Sequence, residues 1–543
     1  MLRLPLAVCL GLLLPRLVLA QHAHPAPAAT AGVPLFDDLG TLHHAISTRA
    51  PRAQAYFDQG LRLTYGFNHE EAVNSFREAA RLDPDCAMCY WGVALALGPN
   101  INMPMEAAAE REAYAAAREA SRRAPRASAT ERAYIAALAK RYGEPAGVDR
   151  AARDSAYAAA MRDVARAHPD DADALTLFAE SLLDLRPWDQ WTRSGEPQPG
   201  TPEAVEALER VLARDPAHPG ACHYYIHTVE ASLRPERALP CAERLPSLMP
   251  GAGHLVHMPA HVYMRLGMYD RATAANEHAA HADELYLEGR QPTGTYPFYY
   301  AHNLHFLWAA SAAEGRSAAA LQAARGVAGR VPVELARQLP IAELFIPTPL
   351  YALARFGRWE QVLAEPAPPG DLRYSKAMWH HARGLALVGA GRAAEAGAEL
   401  DSVAAIRRST PAELVLGMHR ATDLLGVAEH LLSGRILAAR GDGEGAVREL
   451  RRAVEMEDAL RYDEPPPWYS PARQALGAVL LRAGRAAEAE AVFREDLAIH
   501  RDNGWSLFGL ARALRAQGKD GTEVEARFRK SWARSDVREP PLW

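Results

Sequence analysis

The sequence predicts an all-α chain built as a right-handed superhelical solenoid of stacked helix pairs. Three observations carry that expectation. First, Asp83-Pro84, Asp215-Pro216 and Met249-Pro250 each close a helical pair, and the last two prolines lie 34 residues apart. Second, small and aromatic residues recur at fixed places between such stops. With Pro84 as repeat position 32, Gly60 is position 8, Ala72 is 20, Phe76 is 24 and Ala79 is 27. Counting on from Pro250 puts Ala260 at 8, Tyr263 at 11, Gly267 at 15, Tyr269 at 17, Ala272 at 20 and Ala279 at 27. Third, a glycine turn marks the middle of the later units, at Gly315, Gly357, Gly391, Gly441 and Gly484. Such a glycine ends the first helix, and the small residues let two helices approach closely. Alternating Val/Ile/Thr runs are nearly absent, which fits helix throughout.

A 34-residue helix–turn–helix with this pattern is the tetratricopeptide repeat. One unit cannot bury its own apolar face, so units must stack. The chain divides accordingly. Residues 1–20 read as a leader, and 21–50 as an Ala/Pro-rich linker and N-terminal segment. Residues 51–98 hold a repeat pair, 99–200 a stretch of longer, irregular helices with RPWDQW (Arg186 to Trp191) set to cover part of the groove. Residues 201–363 hold histidine-rich units, and 364–543 four more repeats after the break at AEPAPPG. YDEPPPWY (Tyr462 to Tyr469) is a long connecting loop with aromatic anchors.

The histidine-rich units carry the chemistry. They read CHYYIHTVE (Cys222 to Glu230), GHLVHMPAH (Gly253 to His261) and YAHNLH (Tyr300 to His305). His223, His227, His254, His257, His261, His302 and His305 fall at positions 2, 5 and 9 of three units, with Glu230 at position 12. At about 100° per residue these positions share one helix face, roughly 130° from the packing face. The histidines are therefore expected outside the core. Similarity to tetratricopeptide proteins implies that this face lines the concave groove. Neutral imidazole suits zinc, copper, iron and nickel. The pairs 223/227 and 257/261 have the i, i+4 spacing that chelates one ion from one helix. Seven rings exceed one tetrahedral shell, leaving one ion with supporting partners or two ions. Copper or zinc is the expected cofactor, and Glu230 is the candidate catalytic residue, as ligand or general base. Pro259 is expected to kink or delay its helix, moving His254 and His257 into a loop.

The termini and cysteines bound the setting. MLRLPLAVCLGLLLPRLVLA has a basic start, an apolar stretch and a small-residue site at Val18-Leu19-Ala20, the pattern of a secretory leader. A periplasmic or secreted location follows as an expectation, with no membrane span once the leader is removed. Four cysteines would then remain, Cys86, Cys89, Cys222 and Cys241, an even number that permits two disulfides. For Cys86 and Cys89 a structural disulfide and two buried thiols are both open, and the register of Cys222 and Cys241 lies about one turn off for a bridge. The chain has 543 residues and a net charge of −5, with no run of like charge, so nucleic acid is not an expected partner. HExxH, GxSxG, Walker and Rossmann signatures are absent.

Several stretches resemble a widespread family of exported bacterial tetratricopeptide proteins, mostly without assigned activity. They are FNHEEAVNSFREAARLDPDCAMCYWGVALALGPNINMP (Phe67 to Pro104), HMPAHVYMRLGMYDRATAAN (His257 to Asn276), YAHNLHFLWAA and YDEPPPWYSPARQALGAVLL (Tyr462 to Leu481). The resemblance brings no reaction with it. Three functions stay open at this point: an exported metal-binding solenoid, a metalloenzyme using the same site, and a metal-free scaffold. In each, a peptide, protein segment or small molecule occupies the groove.

Overall fold

The computed structural model describes residues 32–144, 149–288 and 296–542, so the expected leader at 1–20 lies outside the described residues. From Leu35 onward the chain is one compact unit. It is an all-α, tetratricopeptide-type solenoid. Helices pair in chain order, beginning with Pro51–Tyr65 and His69–Leu82 and ending with Gly504–Ala516 and Thr522–Ser531. The strands among the described residues are Val415–Leu416 and His419–Arg420, a two-stranded antiparallel pair. No described helix is long and apolar enough to cross a membrane.

The packing follows the repeat. Phe76 fits between Gly60 and Gly92, sixteen residues to either side, and Phe493 fits between Gly477 and Gly509 at the same spacing. A Cβ on any of these four glycines would come within 2.7 Å or less of the phenyl ring. The mid-repeat turns share one geometry. Gly267, Gly315, Gly357, Gly391, Gly441 and Gly484 all have positive φ, between 65° and 88°. In each turn the next residue's N–H bonds back five residues, as from Arg316 to Ser311 O at 2.9 Å and from Arg485 to Leu480 O at 2.9 Å. This is the left-handed helix stop that glycine adopts at no steric cost.

The first repeat breaks that rule. Asn68 N–H bonds Leu63 O at 3.0 Å, the same five-residue link, and the residue in the glycine place is Phe67, with φ 58°. A bulky side chain in this conformation costs about 1–2 kcal/mol.

The expected kink at Pro259 takes a specific form. Helices Gly253–His257 and Pro259–Arg265 meet at Met258, which keeps helical angles (φ −50°, ψ −32°). Proline sits at the first position of the second helix, where its missing N–H is no loss. His254 and His257 therefore come from a helix rather than from a loop. Residues 99–200 are also more regular than expected: helices Glu110–Arg123, Ala129–Leu138, Arg150–Ala167 and Ala172–Leu183 pack in sequence. Cys86 and Cys89 are joined in a disulfide, and Cys222 and Cys241 are free and buried.

The solenoid coils back on itself. Trp505 Nε1 donates to Ala312 O at 3.0 Å, and Ser317 N donates to Asp536 Oδ1 at 2.7 Å. At the other end, Gly251 N donates to Asp38 O at 3.0 Å. The histidine-rich units lie between these closures.

Candidate metal centre

Helices Pro219–Val229, Gly253–His257, Pro259–Arg265 and Tyr296–Ala313 bring six of the seven histidines together. They form two triads. His223, His227 and His254 each offer a nitrogen, all within 4.8 Å of one another, and His257, His261 and His302 do the same. The two triads repeat one design. Each takes an i, i+4 pair from repeat positions 5 and 9, 34 residues apart between triads, and adds position 2 of the following unit. His305 begins a third copy at position 5, but position 9 of its unit is Ala309. Its ring instead stacks on Trp308 at 5.3 Å, packs edge-on to Phe345, and is held down at about pKa 4 by burial. His305 thus lies outside both triads.

The expected open groove is corrected too. His223, His257 and His261 are fully buried, and His227 and His254 are nearly so. One phenyl ring caps each triad. Phe67 lies 4.4 Å from His223 and stacks on His254 at 5.3 Å and on His227 at 6.0 Å. Phe306 lies 4.5 Å from both His257 and His261 and 5.0 Å from His302. Trp188 covers the junction, edge-on to His227 at 5.4 Å and 6.1 Å from His261, with φ 59°. Two of the three non-glycine residues with positive φ among the described residues, Phe67 and Trp188, therefore sit on this site. Strain of this kind persists where tertiary packing over-determines it.

Hydrogen bonds set the protons. His223 Nδ1 faces the carbonyl oxygen of Tyr65 at 2.7 Å, so it must donate. His227 Nδ1 lies 3.0 Å from Glu230 Oε1, and His261 Nδ1 lies 2.5 Å from Glu230 Oε2 in a close ion-pair contact that is off the line of a hydrogen bond. His257 Nδ1 faces Asn276 Oδ1 at 2.7 Å, and Asn276 Nδ2 donates to Ala272 O, which fixes the amide. Three rings, His223, His227 and His257, thus carry their proton on Nδ1, leaving three Nε2 lone pairs turned inward. His257 Nε2 and His261 Nε2 approach to 2.9 Å, and His223 Nε2 and His254 Nε2 to 3.1 Å. His227 Nε2 and His254 Nδ1 are buried with no partner.

Burial pushes His223, His254, His257 and His302 well below the ordinary histidine range, and neighbouring imidazoles push the same way. Burial also lowers His227, against the opposing pull of Glu230. In these five rings burial favours the neutral imidazole, the form that binds metal. Burial would raise Glu230, but His261 and then the bond from His227 outweigh it and hold the carboxyl at about 2. Glu230 is therefore a carboxylate that accepts from His227 through Oε1 and contacts His261 Nδ1 through Oε2, so it stands beside both triads.

A groove of about 650 Å³ reaches the outside of Trp188. Its wall includes Arg265, Trp308 and the Tyr462–Tyr469 loop. Trp188 stacks on Tyr462 at 6.5 Å, as expected of RPWDQW covering the groove. Glu464, from the same loop, is pushed up to about 7 by burial, opposed by Arg265 and His261. The roles of Tyr65, Asn276, Phe306 and Glu464 went unread in the sequence. Tyr65 acts through its carbonyl, which no side-chain pattern reports. Asn276 is one of several polar residues in its helix (Tyr269–Leu287), and its spacing does not single it out. His69 packs edge-on to Phe67 but its ring does not enter either triad.

No family model matches the chain, and no curated protein does. Among solved structures it is similar to the human IFIT1 dimer with m7Gppp-AAAA, at 12% identity over 90% of this chain and 91% of that one, TM-score 0.31. It is also similar to yeast Tom70, at 12% identity over 89% and 91%, TM-score 0.28. A third is the APC/C hetero-tetramer Cut9-Hcn1, at 13% identity over 85% and 76%, TM-score 0.32. At these values the likenesses bear on no site and no partner.

Proposed function

We propose that this is a metal-binding helical-repeat protein whose two histidine triads hold two first-row transition-metal ions, copper or zinc. One observation carries the reading. His257 Nδ1 is committed as donor to Asn276 Oδ1, and the Nε2 atoms of His257 and His261 face each other at 2.9 Å inside the triad. A cation between them would take both nitrogens, and in the neighbouring triad His227 Nε2 and His254 Nδ1 are buried with no partner. Two nitrogens each about 2.0–2.1 Å from one ion lie about 2.9–3.4 Å apart across an angle of 90–110°. Carbonyl, carboxylate and amide oxygens on the far ring nitrogens are the usual outer partners of metal-bound histidine.

Elemental analysis of the full chain, purified without a histidine tag and without chelators, tests this. Two ions per chain are expected, falling to one in His257→Ala/His261→Ala. A chain that stays metal-free and takes up neither copper nor zinc from a chelator buffer overturns the reading. A metal-free peptide scaffold is the alternative. The 650 Å³ groove beyond Trp188 offers it a surface, but the histidines lie beneath Phe67, Phe306 and Trp188, where a peptide does not reach. We also place the mature protein in the periplasm or outside the cell, on the strength of the leader pattern at Met1–Ala20. N-terminal sequencing should then find a start near Gln21, and an intact Met1 in the soluble cytoplasm would count against it.

A further inference from the structure

We propose that the resident pair is copper, held as two copper(I) ions, and that the pair delivers two electrons to one molecule of dioxygen admitted at Trp188. The inference rests on the two-ion reading above and names its metal and co-reactant.

Charge selects the metal. All six donors are imidazoles, which bring no charge of their own when they hold a metal, and the carboxylate in contact with these rings is Glu230 alone among the described residues. The next charges, Glu464 and Arg265, oppose each other. Two zinc ions would bring four positive charges into a closed interior against that single carboxylate, and two copper(I) ions bring only two. Uncompensated charge away from water costs several kcal/mol per ion, so the lower-charged pair is the better occupant.

Geometry makes the ions a pair. His227 and His261 belong to different triads, share Glu230, and have ring centroids 5.6 Å apart. His254 and His257 span the same boundary at 5.8 Å. Ions seated in the two triads then lie on the order of 4–6 Å apart, close to the spacing at which two metals act on one ligand. Trp188 touches His227 on one side and His261 on the other, and its outer face borders the groove. The groove therefore meets both ions at their common edge.

The step balances as written. Each copper(I) gives one electron and becomes copper(II), and dioxygen takes both and is reduced to the peroxide level, with its O–O bond intact. No proton is needed for that half-reaction. Return to copper(I) requires two electrons from an organic reductant in the groove.

The test uses the full chain loaded anaerobically with two equivalents of copper(I), then exposed to a measured amount of dioxygen. We expect one dioxygen consumed per two coppers. We also expect a weak copper(II) paramagnetic resonance signal in the native protein, because neighbouring spins cancel, and a full two-copper signal once acid unfolds it. His302→Ala, which breaks one triad, should give a full-strength signal from one copper without unfolding. A native protein that retains two coppers but shows the full signal, or consumes no dioxygen, overturns this inference and leaves the two-ion reading standing. A chain that retains no metal of any kind overturns both.

Discussion

Glu230 accepts from His227 with one oxygen and contacts His261 Nδ1 with the other, so its removal disturbs both triads at once. In Glu230→Gln one oxygen still accepts, but the amide N–H₂ faces the other ring and forces its proton to the inward nitrogen. Metal affinity should fall by about 10–100-fold, read by competition with a chelator of known strength. An unchanged affinity would remove Glu230 from the site. The ring positions themselves were legible: 223 and 257, and 227 and 261, stand one repeat apart, and helical spacing put them on one face. Their burial was not, because the capping rings Phe67 and Phe306 come from other helices and other units. Asp283 gives a prediction of a different kind. It accepts from Tyr296 and Asn303, each at 2.7 Å, and a Cβ on Gly253 would overlap it, so it ties together two of the histidine-bearing helices. Burial pushes its carboxyl up to about 7, from an ordinary value near 4. The folded state thus binds this proton more tightly than the unfolded state. The stability it contributes is complete below about pH 4 and is lost as pH rises towards 7. Asp283→Asn abolishes that loss, since Asn303 Oδ1 has no partner and can accept from the new amide. Urea unfolding should find the variant about 1–3 kcal/mol more stable than the wild type at pH 8 and indistinguishable at pH 4. The reverse order would show that Asp283 is ionised in the fold.

At the scale of the element, the turn between Pro51–Tyr65 and His69–Leu82 departs from its siblings at one residue. Seven other turns, that at Gly518 included, place glycine in the left-handed position, and here Phe67 holds it and points its ring at His223. Substitution there should invert the usual order. Phe67→Ala and Phe67→Gly both lose the ring, but glycine also sheds the backbone strain. Phe67→Gly is expected to be more stable than Phe67→Ala by about 1 kcal/mol, measured by denaturant midpoint. Alanine above glycine would mean that no strain is stored. The repeat register read from Gly60, Ala72, Phe76 and Ala79 located this turn at position 15, yet the pattern could not say that a phenylalanine would adopt glycine's conformation there. Far from the histidines, Gly509→Ala pushes a methyl into Phe493 and should cost about 1–3 kcal/mol, with metal content unchanged. Loss of metal in that variant would show that the far repeats and the histidine units melt together even under mild conditions.

At the scale of the whole molecule, repetition was readable because every unit repeats the same local packing, and closure was not, because it depends on the accumulated twist of many units. Trp505 against Ala312, Asp536 against Ser317 and Asp38 against Gly251 join residues far apart in sequence. Deleting residues 500–543 should therefore do more than shorten the array. It uncovers the Ala312–Ser317 turn beside the histidine-bearing helix Tyr296–Ala313, so the unfolding midpoint and the metal content should both drop. A truncated chain that keeps both ions at full strength would show the closure to be incidental. The closure also changes how the molecule should come apart. An open array behaves as a one-dimensional chain of coupled units, which frays from its free ends and whose stability grows term by term with length. An array whose last unit is fastened to its middle has no free end on that side. Its outermost helix pair should exchange its amide hydrogens nearly as slowly as its centre, and it should melt as one body, more like a globular domain than a string of repeats.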